Sequence, residues 1–89
     1  MKFYIVSSLK KTMIKTFDGY IDDNIECHYL YSQGKAKHYF EVKTTLEENE
    51  ICHYLKEVLK IKEPYKTVSA AYKFFLINWI RIYNVLQNS

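Results

Sequence analysis

The chain has 89 residues, 48% of them hydrophobic and 26% charged, with a formal net charge of +3. That length makes one domain with a modest core and excludes a second. The composition excludes an unfolded, highly charged chain, and two Gly with one Pro leave little material for a flexible linker.

In chain order, FYIVSSL reads as a first strand. TMIKTF, then Asp18-Gly19 and YI, has the form of a hairpin with a two-residue turn, because Gly and Asp tolerate the positive φ such turns demand. The same stretch also supports a helix from Leu9 to Tyr20, which would set Leu9, Met13, Ile14 and Phe17 on one side. Asp22-Asp23-Asn24 predicts a bulge, a turn or an irregular edge, since these side chains fit a strand interior poorly. NIECHYLY and KHYFEVKT flank Ser32-Gln33-Gly34-Lys35 and predict a second hairpin.

After Thr45 the hydrophobic period changes. Thr45-Leu46-Glu47-Glu48 matches a capping box, and Leu46, Ile51, Leu55, Val58 and Leu59 form a helical stripe that Pro64 terminates. A second helix is predicted from about Thr67 or Ser69 to Leu86. Its apolar face carries Val68, Tyr72, Phe75, Leu76, Trp79, Ile82, Tyr83 and Leu86, broadened by Phe74, Ile77 and Ile80. A helix this apolar needs cover on more than one side. The elements together predict the α+β class: a single compact domain over residues 1–89, with an antiparallel meander of three or four strands followed by two helices packed on one face.

The quartet CHYL occurs twice, at Cys27–Leu30 and Cys52–Leu55. Along a strand Cys27 and His28 point to opposite faces, whereas along a helix Cys52 and His53 diverge by about 100°. The two copies therefore present different geometry and do not form a duplicated unit. Zinc takes four converging ligands, usually at a short spacing such as C-x2-C, and adjacent Cys-His pairs 25 residues apart lack it. No metal, cofactor or catalytic residue is assigned. Asp22 and Asp23 read as a solvated acidic turn, and no Gly-rich phosphate loop is present. Two cysteines without a secretory segment fit a reducing, cytoplasmic setting. No uninterrupted apolar run reaches the roughly 18 residues of a membrane span, so no transmembrane segment is expected.

FDGYIDDN resembles the helix-ending motif of LAGLIDADG homing endonucleases, and KHYFEVKTTLEENEICHYLKEVLKI is similar to the strand and helix such domains place after it. Gly19, Ile21 and Asp22 match, while the second acidic position falls on Asn24 and the final Gly on Ile25. The resemblance covers about half the chain. It implies cleavage of duplex DNA with metal ions held by acidic residues at paired motifs.

Two broader functions follow from composition. Aromatic content is high, with nine Tyr, five Phe and one Trp, and exposed Tyr and Trp are favoured at protein interfaces. An AT-rich genome would enrich the same residues together with Lys, Ile and Asn. The first expectation is a small non-catalytic protein-binding module or homo-oligomer, such as a phage, viral or mobile-element protein that modulates a host protein by stoichiometric binding. Its contacts would come from Tyr72, Trp79, Arg81 and Tyr83 on the last helix and from Asp22 and Asp23 on an acidic surface. The alternative is nucleic-acid binding. Residues 60–89 carry Lys60, Lys62, Lys66, Lys73 and Arg81 against Glu63, a local +4 that leaves −1 for residues 1–59. Lysines neutralise phosphate and exposed tyrosines stack on unpaired bases. The candidates are Lys60, Lys62 and Lys66, and a second patch of Lys35, Lys37 and Lys43 with Tyr39. A single Arg gives little capacity for bidentate base reading.

Overall fold

A computed structural model describes residues 1–67 and 71–77. Strand β1 (Lys2–Val6) is followed by helix α1 (Lys10–Phe17), strands β2 (Ile25–Gln33) and β3 (Lys37–Thr44), helix α2 (Glu48–Lys62), a single turn α3 (Pro64–Thr67) and strand β4 (Lys73–Ile77). The four strands form one sheet in the order β2-β3-β1-β4, with every neighbouring pair antiparallel. β1 and β2 thus run parallel with β3 between them, as β3 and β4 do with β1 between them. This interleaved β-α-β-β-α-β arrangement is the ferredoxin-like, split β-α-β topology. Both helices pack on the same face, so the α+β class, the antiparallel sheet and the one-sided helical cover hold. Among the described residues no helix is long and apolar enough to cross a membrane.

Helix α1 replaces the predicted first hairpin. The spacing of Met13 and Phe17 turns both into the core, where each is fully buried. Thr12 and Thr16 are also buried, and the Thr16 hydroxyl donates to the Thr12 carbonyl at 2.7 Å, which removes the cost of an unpaired hydroxyl. Asp18-Gly19 serves as the helix end instead of a hairpin turn: Gly19 takes φ 77°, the left-handed conformation that closes helices. Gly34 (φ 65°) plays the corresponding part in the β2–β3 turn.

Helix α2 buries the predicted stripe of Ile51, Leu55, Val58 and Leu59. Its start differs from the expected capping box. The N-cap is Glu47 and no side chain caps it, while Thr45 is exposed. Thr44 organises the approach instead, its hydroxyl accepting from the Leu46 amide at 3.0 Å and donating to the Asn24 carbonyl at 2.9 Å. Glu48 and Glu50 in the first turn and Lys60 and Lys62 in the last complement the helix dipole.

The largest correction concerns residues 73–77, which form an edge strand instead of part of a helix from 67 to 86; the rest of that predicted helix lies mostly outside the described residues. Phe74 faces the core and Phe75 the opposite side, the two-residue alternation of a strand. β4 pairs with the free edge of β1, bringing Phe74 opposite Ile5. The core between sheet and helices holds a cluster of four Phe rings among its aliphatic side chains. Phe17 meets Phe3, Phe40 and Phe74 edge-on at centroid distances of 5.8, 5.9 and 5.7 Å, and Phe3 stacks on Phe40 at 5.1 Å.

Candidate functional site

Among the described residues the helices lie on one face of the sheet and leave the other open, and strand alternation decides what that face displays. The outward residues are Lys2, Tyr4 and Val6 on β1, Lys37, Tyr39, Glu41 and Lys43 on β3, and Lys73, Phe75 and Ile77 on β4. In register, Tyr39, Tyr4 and Phe75 stand opposite one another across three strands.

β2 completes the row through a bulge. Tyr29 pairs with Phe40, and Tyr31, not Leu30, pairs with Tyr39. The extra residue re-aims everything after it. Tyr31 turns to the open face, where a regular strand would have turned it to the core, and Ser32 turns inward opposite His38.

The result is four aromatic rings, one per strand, in a single row. Tyr31 stacks on Tyr39 with centroids 4.7 Å apart and planes within 9°, Tyr39 meets Tyr4 at 5.2 Å, and Tyr4 stacks on Phe75 at 4.9 Å. Nearly parallel rings at such spacing are slipped sideways by about 3 Å, so each overlaps its neighbour only in part. The end rings keep most surface, with Tyr31 54% and Phe75 40% exposed.

Cations flank the row. On the side nearer the β2–β3 turn the register runs Gln33, Lys37, Val6, Lys73, with Lys35 in the turn itself; on the other it runs His28, Glu41, Lys2, Ile77. The Lys37 ammonium lies 5.8 Å from the Tyr4 ring centroid. Glu26 is matched by Lys43 at 3.8 Å and His28 at 3.5 Å, and Glu41 by the N-terminal ammonium at 3.6 Å. Among the described residues, Lys2, Lys37 and Lys73 make no ion pair.

Beneath the bulge, His38 is fully buried. Its Nε2 lies 2.9 Å from the Ser7 carbonyl oxygen and must donate there. In the neutral ring Nδ1 then accepts from the Ser32 hydroxyl at 2.9 Å, and Ser32 accepts from the Tyr29 hydroxyl at 2.7 Å. Although Ser32 and His38 touch like a nucleophile and its base, the imidazole is sealed in the core with both nitrogens committed. This chain is an internal brace that holds the bulge.

The other candidates from the sequence scatter. Lys37 and Tyr39 sit on the aromatic face, Lys35 at its turn and Lys43 at its far end. Lys60 lies on α2, Lys62 points over the Tyr20 ring at 5.2 Å on the helical side, and Lys66 is exposed on α3. Tyr72 packs edge-on against Phe74 at 6.0 Å, whereas Trp79, Arg81 and Tyr83 lie outside the described residues. Asp23 is exposed, but Asp22 is tied into the fold. One Asp22 oxygen accepts from the hydroxyls of Tyr20 and Tyr54, both at 2.7 Å, and the other accepts the amides of Asn24 and Ile25 at 2.8 and 2.9 Å. Burial opposes ionisation of Asp22, yet these four donors outweigh it and bring its pKa down to about 2. Tyr20 is pushed up to about 12, by burial first and then by the adjoining carboxylate. The acidic residue that matches in the endonuclease resemblance is therefore engaged in four hydrogen bonds within the fold.

The two CHYL copies separate as their settings require. Cys27 is buried in the core with its thiol raised to about 12, chiefly by burial and then by Asp22 and Glu26, while His28 is exposed. Cys52 is half-buried and its Sγ donates to the Phe74 carbonyl at 3.9 Å; His53 is exposed. Among the described residues no group of three or more His, Cys, Asp or Glu is gathered for a metal ion.

Sequence reasoning had Tyr39 and Lys37 but not Tyr4, Tyr31, Phe75, Lys2 or Lys73 as members of one surface. For Tyr4 and Lys2 the strand alternation of FYIVSSL carried the signal; for Tyr31 it was hidden by the bulge. Comparison with known proteins yields no matching family model, curated protein or solved structure.

Proposed function

We propose that the open sheet face binds single-stranded nucleic acid without catalysis, stacking unpaired bases on the aromatic row while flanking lysines neutralise phosphates. The observation that carries this reading is the row itself: Tyr31, Tyr39, Tyr4 and Phe75 in register across all four strands. Aromatic rings accept any base, since every base has a π-face, and cationic side chains beside them follow the backbone. Strands about 4.8 Å apart give the row room for about two or three bases. Other four-stranded sheets stack bases on open-face aromatics in this way, a parallel of architecture alone. Arg81 is the single Arg of the chain, so bidentate reading of guanine contributes little and binding is expected to be tolerant of sequence.

The protein-binding expectation rests on an aromatic helix from about Thr67 or Ser69 to Leu86 and on an acidic surface at Asp22 and Asp23. Over residues 73–77 the chain is a strand whose Phe75 joins the open face, so one ring of the expected helical surface belongs to the sheet.

The test is fluorescence anisotropy with a labelled twelve-nucleotide oligouridylate and oligothymidylate at low salt. Tyr39→Ala and Tyr4→Ala, checked for folding by circular dichroism, are each expected to weaken binding about 5- to 100-fold, the loss of one base–aromatic stack. The proposal fails if wild-type protein binds neither oligonucleotide at about 100 µM, the weak limit of ordinary non-specific binding.

A further inference from the structure

Around the edge of the sheet from the aromatic row lies a second feature. A groove of about 1180 Å³ opens where the C-terminal end of β1 meets α2 and the start of β4. Its lining among the described residues is mostly apolar, with Val6, Ala36 and Tyr72 among it, and carries three cations, Lys56, Lys60 and Lys73. Lys56 and Lys60 are one helical turn apart on α2 and both exposed, so they present two ammonium groups along one wall. No acidic side chain lines the groove among the described residues. Glu57 draws on Lys60 from outside at 3.6 Å, an exposed pair that a phosphate could readily replace.

Two lining residues belong to both surfaces. Val6 and Lys73 stand opposite each other on the open face, in the register row next to Tyr4 and Phe75. Groove and aromatic row therefore meet along one line of the sheet. The groove is also larger than the roughly 300–1,000 Å³ of ordinary small-molecule pockets and open to solvent, a shape suited to a length of polymer.

We infer that this groove holds the phosphodiester backbone of a nucleic-acid strand leaving the aromatic row, with Lys73 at the crossing point and Lys56 and Lys60 neutralising the phosphates beyond it. The inference rests on the reading of the open face as a single-strand platform and extends it to a second subsite, whose lysines act on phosphate. A strand of about three nucleotides is satisfied by the row alone; a longer one gains the groove.

The experiment compares a four-nucleotide and a twelve-nucleotide oligouridylate on wild-type protein, the Lys56→Gln/Lys60→Gln double variant and Tyr39→Ala, each at several salt concentrations. Losing two phosphate contacts should lower the salt slope for the long oligonucleotide by about 1.4. The wild-type advantage over the double variant should accordingly shrink about sevenfold between 50 and 200 mM salt, with affinity for the short one unchanged within about twofold. Tyr39→Ala should weaken both lengths. If the double variant matches wild type on the long oligonucleotide while Tyr39→Ala weakens it, the platform stands and the groove assignment falls. If the double variant keeps the long oligonucleotide but loses a polyglutamate peptide that wild type binds, the groove takes acidic peptide and the inference is overturned. If wild type binds neither oligonucleotide, the open-face reading has failed and the groove assignment goes with it.

Discussion

Because Tyr29 pairs with Phe40 and Tyr31 with Tyr39, Leu30 is the residue in excess on β2. Deleting Leu30 should therefore leave the register intact on both sides, with Tyr31 still opposite Tyr39 and Ser32 still opposite His38. Leu30 is 40% exposed, and since full burial of a Leu contributes about 1.5–3 kcal/mol, its side chain supplies at most about 1–2 kcal/mol. Removing one residue that must be ordered returns about 1–2 kcal/mol of conformational entropy. The two nearly offset, and the deletion is expected to change stability by less than about 1 kcal/mol. Deleting Tyr31 instead gives the same register with Leu30 opposite Tyr39; it forfeits the ring stack, about 0.5–1.5 kcal/mol. Urea titration of the two deletion variants measures these values, and oligonucleotide anisotropy should separate them about 5- to 100-fold in favour of the variant that keeps Tyr31. A loss of about 3 kcal/mol or more on deleting Leu30, the scale of a large core truncation, would mean that Ser32 had lost His38 and that the bulge is misassigned.

The Asp22 pKa of about 2 lies below its ordinary 3.8, so its stabilisation is present above about pH 4 and is lost as pH falls through 2. After allowance for its partial exposure, wild type should exceed Asp22→Asn by about 1–2 kcal/mol near pH 6 and by almost nothing at pH 2; an urea-derived difference that ignores pH would contradict the carboxylate cluster. Ser32→Ala leaves Nδ1 of the buried His38 without its partner and should cost about 1–3 kcal/mol by denaturant unfolding, while a neutral outcome would show that the imidazole finds another donor. At pH 7.5 maleimide should label the half-buried Cys52 well before Cys27, and equal rates in folded protein would refute the burial that raises the Cys27 thiol.

Much of the fold was legible because it is written in local periodicity. The stripe from Ile51 to Leu59 dictates an amphipathic helix, the hairpin around Gly34 follows from strand patterns flanking a turn, and the alternation in KHYFEVKT puts His38, Phe40 and Val42 on one face and Lys37, Tyr39 and Glu41 on the other. The stretch from Leu9 to Phe17 satisfied both a helix and a hairpin pattern, and burial of Met13 and Phe17 beneath the sheet decided it.

What the sequence alone determined was therefore the composition of each face, given the element. Which elements exist at the ambiguous places, and which faces meet, was decided only by tertiary structure. FFLI, after Lys73, is an unbroken apolar run that suits a helix or a strand equally; it becomes part of β4 because β1 offers an unpaired edge, and a hydrogen-bond ladder there can be completed only by another strand. Tyr31 reaches the open face through a one-residue slip that no local pattern records, since a slip reverses every side chain after it and is stabilised by partners on other strands, here Tyr39 above the sheet and His38 below. The aromatic row is a property of strand register, and register is a relation between segments distant in sequence.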